Sequence, residues 1–477
     1  MILERIFDER LAQAGFLVAS EKARVALVVD PNRNIDRYIE AASRHNVTIT
    51  HVTETHIHAD FVSGARELAK RTGATLHLSD AGPAPWKYAF AESAHADLLK
   101  DGSSFMVGDV RIDALHTPGH TPEHITFLVT DESAGNSPIG ALTGDFIFVS
   151  DVGRPDLLEK AAGGEHGATE AAARQLFQSL QRFTKYPDHL QIWPGHGAGS
   201  ACGKSLGSMP QSTLGYEKLF NPGLYEKNEE AFVKWVLSGQ PEPPAYFGIM
   251  KRVNRDGPSA ESALIPRELS PREIAQAIAA GEVVVDTRGA AEFASRHAAG
   301  TINIPFAKSF LTWAGSLLPY NRDLFLLVNG DEENFREVAA ALHLIGLERI
   351  GGAFPSQNLD SLEAENVRLQ STLQVTAVDL ASHTNGSRVL DVRRQTEYDA
   401  GHIPGALHIP LGELPDRISE IPAGRLYVHC QGGSRSAIAA SILRQHGRDD
   451  VANLTGGFSE WERTGHPVER EAEPRPG

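Results

Sequence analysis

The chain has 477 residues, of which 41% are apolar and 22% charged, a composition typical of globular enzymes and long enough for about three domains. Its net charge of -16 argues against nucleic acid or an anionic membrane surface as a partner, although a local basic pocket could still bind a small anion. The two cysteines, Cys202 and Cys430, predict no disulfide framework and a cytoplasmic location. No apolar run reaches the length of a leader core or a membrane span.

Residues 1–250 are predicted to form the first domain. Short apolar segments that are typical of strands recur there, with helical stretches between them. This alternation predicts an α/β sandwich of sheets and helices. Stretches rich in Pro and Gly at 238–244 and 255–259 mark the connection to the rest of the chain.

Four short segments of this domain end an apolar run with polar side chains. Residues 55–61 read Thr-His-Ile-His-Ala-Asp-Phe, and His120, Asp145 and His196 each follow a glycine. Loops at strand ends can bring such side chains together, as a metal site requires. A single histidine would be an ordinary core or surface residue, but four segments of this kind in one domain predict a metal site.

The remainder of the chain contains an internal repeat with an offset of 105 residues, as from Asp286 to Asp391. Arg288 and Arg393 match at the same offset. Each copy begins with a helix-start signal and continues into a short apolar strand that ends at the shared aspartate. The repeat predicts two mainly parallel α/β domains, a first copy at 251–368 and a second copy at 369–477.

In the second copy, residues 430–436 read Cys-Gln-Gly-Gly-Ser-Arg-Ser and directly follow the apolar segment 426–429. A thiol at a strand end, followed by a Gly-bearing loop and a helix N-terminus, is suited to hold an anion, because the loop amides point inward and favour a thiolate. Cys430 and Arg435 are therefore candidate catalytic residues. The remaining loop positions are candidate substrate contacts: Gln431, Gly432, Gly433 and Ser434.

The equivalent stretch of the first copy, residues 326–336, has no cysteine and contains three acidic residues. The acids would repel a sulfur anion, and the sequence predicts that the loop is longer. We therefore expect the first copy to be a packing or docking domain without the thiol chemistry of the second copy.

Residues 1–250 resemble the metallo-β-lactamase superfamily, whose signature is His-x-His-x-Asp-His. Phe61 stands where the last histidine would be, which removes a ligand from the second metal position. This departure favours the branch that resembles persulfide dioxygenases over two-metal hydrolases of the glyoxalase II kind. The resemblance implies an αββα sandwich and one Fe(II) per chain, bound by His56, His120 and Asp145, with positions open for O₂ and a thiolate-like substrate.

The same resemblance assigns three further residues either to orienting these ligands or to an alternative metal position: His58, Asp60 and His196. Cys202 lies in the small-residue loop 195–204, where it is either a buried core residue or part of a persulfide pocket. Lys204 and Arg154 are candidates for binding an anionic thiol carrier.

The two copies resemble rhodaneses through the pattern at Asp391, Arg393, Glu397 and residues 402–406. A Cys-x4-Arg loop suits sulfur transfer in this fold, whereas the related phosphatases have a loop one residue longer. The resemblance implies that Cys430 carries sulfur as a persulfide, stabilised by the loop amides and Arg435.

These resemblances together imply a sulfide-detoxifying fusion enzyme that oxidises a low-molecular-weight thiol persulfide, such as that of glutathione or coenzyme A, with O₂ to sulfite. Its second copy would combine sulfite with sulfane sulfur to give thiosulfate, or would run in reverse to supply substrate. The alternative is a zinc-dependent, glyoxalase II-like thioester hydrolase with an accessory sulfurtransferase domain, and a third possibility is a non-enzymatic sulfur relay. The sequence leaves homo-oligomerisation open.

Overall fold

The structure is a computed structural model and describes residues 1–157, 167–258, 265–382 and 388–470. The chain divides into two compact units, unit 1 (Met1–Ser262 with His343–Gly346) and unit 2 (Ala263–Leu342 with Leu347–Gly477). Within the described ranges, no helix combines the length and the apolar character that crossing a membrane would need.

Unit 1 contains two six-stranded sheets. The first sheet has the order β1-β2-β3-β4-β5-β6, antiparallel up to β3 and parallel from there on, with the strands Ile2–Asp8, Gln13–Ser20, Val25–Val29, Thr48–Thr53, Thr75–Ser79 and Asp97–Leu99. The second has the order β12-β11-β10-β9-β8-β7, with β7 to β12 at Ser104–Val107, Val110–His116, Ile125–Asp131, Gly140–Gly144, Gln191–Pro194 and Ser212–Thr213.

The helices of unit 1 cover the outer faces of these sheets. Their bounds, α1 to α7 in chain order, are Asp36–Arg44, Ala65–Thr72, Ala168–Phe183, Leu214–Phe220, Pro222–Tyr225, Glu229–Leu237 and Phe247–Asp256. Tyr38 of α1 and Leu68 of α2 pack on the first sheet, whereas Leu176 of α3 and Phe232 of α6 pack on the second.

A continuous apolar core fills the space between the two sheets. Phe16 and Leu27 of the first sheet belong to the same buried cluster as Ile112 and Phe127 of the second. The facing sides of the two sheets are apolar. Each sheet is stabilised by burying its apolar side, and this requires the other sheet to cover it. The layer order is therefore helix, sheet, sheet, helix, which confirms the predicted αββα sandwich.

The polar segments of unit 1 follow the carboxyl ends of four strands. Residues 55–61 come after β4, His120 after β8, Asp145 directly after β10 and His196 after β11. Strands β10 and β11 are parallel neighbours, so their ends deliver side chains to the same edge of the second sheet. This shared edge explains how residues far apart in the sequence can meet.

Unit 2 contains the two copies of the repeat. The first copy has a parallel sheet in the order β15-β13-β16-β17, with β13 to β18 at Val283–Asp286, His297–Ala298, Ile302–Asn303, Leu324–Val328, Ile350–Pro355 and Leu369–Gln370, and with β14 pairing β18 separately. The second copy has the order β19-β23-β22-β20-β21, with β19 to β23 at Leu373–Val375, Arg388–Asp391, Leu407–His408, Leu426–His429 and Val451–Leu454.

Short helices alternate with these strands. In chain order, α8 to α16 are Pro271–Ala279, Ala290–Ser295, Phe310–Leu317, Glu332–Leu344, Ala377–Ser382, Gln395–Ala400, Leu414–Arg417, Ser434–Gln445 and Gly457–Arg463. Helix α8 begins as the sequence predicts, because Ser270 and Glu273 form a capping box and Pro271 occupies the first turn. The equivalent strands of the two copies have the same sheet order, apart from β19 at the edge of the second copy.

The strand registers correct one prediction about the first copy. Asp286 pairs with Leu327, and Asp391 pairs with His429, so Val328 of the first copy stands where the second has Cys430. In each copy three residues then lead to the next helix, 329–331 before α11 and 431–433 before α15. The prediction of a longer loop in the first copy is wrong: the loop has equal length, and the nucleophile is replaced within it.

Candidate functional site

Three buried side chains of unit 1 converge on one point. The Nε2 atoms of His56 and His120 lie 3.9 and 3.5 Å from Oδ2 of Asp145. Ligand atoms of all three residues lie within 4.8 Å of one another. Oδ2 of Asp145 is buried and has no hydrogen-bond partner among the described residues. A buried carboxylate oxygen without a donor is costly, and a cation between these three atoms would satisfy it. The residues therefore fit a bound metal ion.

The far side of each imidazole is held in place. Nδ1 of His56 is 2.9 Å from Oγ1 of Thr55, and Nδ1 of His120 is 3.1 Å from the carbonyl oxygen of Arg154. Such contacts fix the ring orientation and leave Nε2 directed at the metal position. Burial lowers the pKa of both imidazoles, far below the usual value for His56, so the rings are neutral as metal ligands must be.

The second oxygen of Asp145 belongs to a buried chain of hydrogen bonds. Oδ1 accepts from Nδ1 of His196 at 2.7 Å, and Nε2 of His196 lies 2.8 Å from Oδ2 of Asp60. Burial disfavours charge on both partners, but the attraction between them holds the pKa of Asp145 well below and that of His196 well above its ordinary value. His196 therefore orients the carboxylate ligand from behind.

Cys202 lies at this same end of the site. Its sulfur, one atom of Asp60 and one of His196 lie within 4.8 Å of one another and form a second group that could hold a metal ion. Burial, and then the charges of Asp145 and Asp60, raise the pKa of the Cys202 thiol well above the usual value. The structure thus places Cys202 beside the predicted centre, as a buried thiol.

His58 is not one of the three converging ligands, although its ring lies beside that of His56 with centroids 4.3 Å apart. Its Nε2 lies 3.1 Å from Oδ1 of Asp30, and its ring packs against Phe61 with centroids 4.4 Å apart. Burial opposes protonation, but the carboxylates, Asp30 first, raise the pKa of His58 to about 9. Phe61 is fully buried and fills with apolar atoms a position beside this histidine.

The two cationic candidates for substrate binding both make contacts within unit 1, and their role in substrate binding stays a prediction. The buried guanidinium of Arg154 forms a bidentate pair with Asp156 at 2.8 and 2.7 Å and donates to backbone carbonyls as well. The Lys204 ammonium donates to the carbonyl of Trp235 at 2.5 Å and lies over its indole ring. Arg154 serves the site through its own carbonyl, which contacts His120, and Lys204 stabilises the end of α6.

Two residues near His120 were missed by the sequence reasoning. His124 accepts a hydrogen bond from the backbone N–H of Asp145 at 3.2 Å, and its ring stacks on His56. Glu123 accepts a hydrogen bond at 2.8 Å from the backbone N–H of Ile57, the residue between His56 and His58. Their proximity in sequence to His120 was the available signal, but neither adjoins a glycine turn.

The Cys430 loop of the second copy surrounds the thiol with donors. The backbone N–H of Gly433 points to Sγ at 3.1 Å, and the hydroxyl of Ser436 lies 3.6 Å from it. Gly433 has φ of 100°, a left-handed conformation that turns the chain into α15. The thiol is fully buried at the start of this helix, so an anion on its sulfur would face the helix N-terminus.

Arg435 and Gln431 take different places around this loop. Arg435 makes two parallel bonds to Glu397, at 2.6 and 2.7 Å, and its charge is also coupled to Cys430. The side chain of Gln431 accepts a hydrogen bond from Arg393 at 3.0 Å and donates one to Ser459 at 2.9 Å. These two bonds stabilise the conformation of the loop. Gly432 and Ser434 are exposed.

The first copy lacks the thiol and the arginine of this loop. Val328 stands in place of Cys430, and Glu333, by the same register, in place of Arg435. Since Glu292 matches Glu397, the first copy has two acids where the second has an ion pair. It therefore has neither a nucleophile nor a cation for sulfur chemistry at this position.

The fold and the convergent ligands define a metal-binding sandwich protein that continues into a domain with a cysteine at a helix N-terminus. The family described as "Metallo-beta-lactamase superfamily" matches residues 15–196, and the one described as "Rhodanese-like domain" matches residues 376–464. The chain is similar to a metallo-beta-lactamase from Staphylococcus aureus subsp. aureus COL, with 38% identity over 74% of this chain and 99% of that one and a TM-score of 0.66. It belongs to the metallo-beta-lactamase superfamily and has a C-terminal rhodanese-like domain.

Two other relatives resemble the first unit. A beta-lactamase hydrolase-like protein of Xylella fastidiosa (strain 9a5c) is 27% identical over 253 residues, 48% of this chain and 53% of that protein, so the chain spans about half of this relative's length. The mitochondrial persulfide dioxygenase ETHE1 of Bos taurus is 23% identical over 239 residues, 49% of this chain and 80% of that protein. The predicted combination of a metallo-β-lactamase domain with a rhodanese domain is confirmed. The domain boundaries and the rhodanese character of the first copy stay predictions.

Proposed function

We propose that the metal centre of unit 1 oxidises a low-molecular-weight thiol persulfide with O₂, and that the Cys430 domain transfers sulfane sulfur to the sulfite formed. The observation that carries this proposal is the set of three ligands, His56, His120 and Asp145, around a buried carboxylate oxygen without a donor. Two histidines and one carboxylate are the ligands of mononuclear iron sites that react with O₂. The similarity to persulfide dioxygenase ETHE1 supports the same substrate class.

The overall reaction balances with O₂ as the oxidant. The outer sulfur of the persulfide loses four electrons, O₂ gains them, and sulfite receives both atoms of O₂ and one oxygen from water, while the carrier thiol is released with two protons. An Fe(II) ion held by the three ligands would supply the redox chemistry that amino-acid side chains lack. The chain's part is to keep His56 and His120 neutral and to keep the Asp145 carboxylate oriented through His196.

The second step requires no redox cofactor. The Cys430 thiolate attacks the outer sulfur of a persulfide, the sulfur–sulfur bond breaks, and the carrier leaves as a thiolate. Sulfite then attacks the outer sulfur of the Cys430 persulfide, which releases thiosulfate and restores the thiolate. The Gly433 N–H and the Ser436 hydroxyl stabilise the anion on the sulfur. Because one chain carries both activities, sulfite is released at a raised effective concentration near its acceptor.

The test is the metal content and product analysis of protein purified without oxygen. We expect about one Fe per chain, oxygen uptake with glutathione persulfide, and sulfite followed by thiosulfate as products. Iron-loaded protein that consumes no oxygen with any thiol persulfide would overturn the dioxygenase proposal. Absence of thiosulfate when sulfite and persulfide are both supplied would overturn the transferase step.

A second candidate, a zinc-dependent thioester hydrolase, is favoured by the group of Asp60, His196 and Cys202, which could hold a second metal ion. The same metal analysis separates the two candidates. About two Zn per chain, together with hydrolysis of S-lactoylglutathione, would support the hydrolase.

A further inference from the structure

A narrow cleft in unit 1 leads to one of the metal ligands. His120 and Thr121 line it together with Ile57, Ala59, Trp86, Leu157, Phe247 and Lys251. Of the last six residues, all but Lys251 are apolar or aromatic. A cleft with apolar walls and a few polar groups is the usual form of a small-molecule site.

Among the residues that the structure describes, Lys251 is the only cation that lines this cleft. It lies on α7, the helix Phe247–Asp256, and its Nζ is 3.5 Å from the centre of the Trp86 ring. Within the described ranges no carboxylate forms an ion pair with it. Burial lowers the pKa of Lys251 to about 8, an effect that the charge of Glu123 opposes. The ammonium is therefore charged at neutral pH and available to an anion that enters the cleft.

The cleft thus presents three kinds of surface. His120 brings it to the metal ligands, Ile57 and Leu157 offer an apolar wall, and Lys251 offers an ammonium. A molecule that matches all of these has a reactive sulfur, a short uncharged chain and an anionic group. A persulfide without a second charge would leave the partly buried ammonium without an acceptor, which costs binding free energy.

We propose that Lys251 binds the anionic group, a carboxylate or a phosphate, of the thiol that carries the persulfide. This inference rests on the proposed function of the metal centre and adds a residue that determines specificity: Lys251 selects carriers that have an anionic group. Trp86 holds the ammonium in the cleft through its ring face. Phe247, one turn before Lys251 on the same helix, covers the chain of the carrier.

The cation could alternatively serve only to pack on Trp86. Two substitutions separate these roles: Lys251→Met keeps the length of the side chain and removes its charge, while Lys251→Arg keeps the charge and the ability to stack on indole. Arg252 provides the matched control, because it is the exposed neighbour on the same helix and Arg252→Met makes the same change in net charge.

The experiment is calorimetric titration of the full chain, purified with its metal, with unreactive thioethers. S-Methylglutathione offers carboxylates, S-methyl-coenzyme A offers phosphates, and the dimethyl ester of S-methylglutathione offers neither. We expect Lys251→Met to weaken binding of at least one anionic probe about tenfold, and Lys251→Arg to retain most of it. Arg252→Met should change nothing, and no substitution should affect the ester. The probe that responds identifies carboxylate or phosphate as the anion.

The proposal is overturned if no anionic probe binds to the wild type, if Lys251→Met binds them equally well, or if the ester responds to the same extent. Oxygen uptake with persulfides is read separately. A chain that binds anionic thioethers through Lys251 but consumes no oxygen would refute the dioxygenase, whereas normal oxygen uptake without dependence on Lys251 would refute this inference alone.

Discussion

Asp145 divides its two carboxylate oxygens between two tasks. Oδ1 accepts a hydrogen bond from Nδ1 of His196 at 2.7 Å, whereas Oδ2 faces the imidazoles of His56 and His120 without a donor among the described residues. His196 therefore fixes the rotation of the carboxylate and keeps the second oxygen for a metal ion.

Replacing His196 should weaken metal binding without removing a ligand of the three-residue set. Loss of a residue that orients a ligand typically costs about 10–100-fold in metal affinity, and we expect His196→Asn to fall in this range. His77→Asn is the control, because His77 is also buried but contacts His51 and none of the three ligands. Competition with a chelator, followed by metal analysis, measures the metal affinity of both variants. Equal losses in the two variants would contradict the assigned role of His196, and a total loss of metal in His196→Asn would indicate that it is itself a ligand.

Replacing Cys430 should abolish sulfur transfer and leave oxidation intact. Cys430→Val introduces the residue that the first copy has at the equivalent position, Val328. We expect transfer to fall at least about a thousandfold, because no other residue supplies the nucleophile. Sulfite should then accumulate in place of thiosulfate while oxygen uptake is unchanged. Quantifying both products during persulfide oxidation checks this.

The first copy offers a stringent control for that experiment. Val328→Cys, combined with Cys430→Val, restores a thiol to the equivalent loop, but Glu292 and Glu333 stand where the second copy has Glu397 and its arginine. We expect no transfer, because like charges disfavour a sulfur anion there. Activity in the double variant would show that the acidic loop is compatible with the chemistry.

The ion pair between Arg435 and Glu397 should matter through its geometry as well as its charge. Arg435→Lys keeps the charge but cannot form the two parallel bonds at 2.6 and 2.7 Å. We expect sulfur transfer from thiosulfate to cyanide to fall about tenfold. Arg463→Lys, in an exposed pair with Glu460, is the control and should have full activity. Full activity in Arg435→Lys would limit its role to a point charge.

The sequence predicted much of the fold and the components of both sites because these follow local rules. The end of an apolar run indicated His56, glycines at such ends indicated His120 and Asp145, and the Cys-x4-Arg spacing indicated the loop around Cys430. Such motifs are local in the chain, and the fold merely brings them together.

The sequence could not show contacts between a side chain and a partner that is distant along the chain. The guanidinium of Arg154 pairs with its neighbour Asp156, but it also donates to the distant carbonyls of Ala201 and Pro241. The loop of the first copy looked longer because the strand register that aligns Val328 with Cys430 becomes visible only through pairing with neighbouring strands. Lys251 and Trp86 are in contact although 165 positions separate them in the sequence, and no sequence motif indicates this contact.

His429, next to the nucleophile, should make the second copy sensitive to acid. Its imidazole is fully buried, and burial is the main cause that lowers its pKa to about 4, from 6.5 in the unfolded chain. The folded state therefore keeps His429 neutral while the unfolded state takes up a proton as the pH falls below 6.5. Stability is retained above that pH and is lost progressively down to about pH 4.

The control for this effect is His429→Leu, since Leu327 occupies the equivalent position in the first copy. Between pH 7.5 and pH 5 the wild type should lose about 2 kcal/mol more free energy of unfolding than the variant, because only the wild type has the shifted group. Denaturant unfolding at the two pH values measures this difference, and carboxylates that titrate in the same range cancel in the comparison. Equal losses in both proteins would mean that His429 is protonated in the folded state, with Asp391, 3.5 Å from its Nε2, as the acceptor.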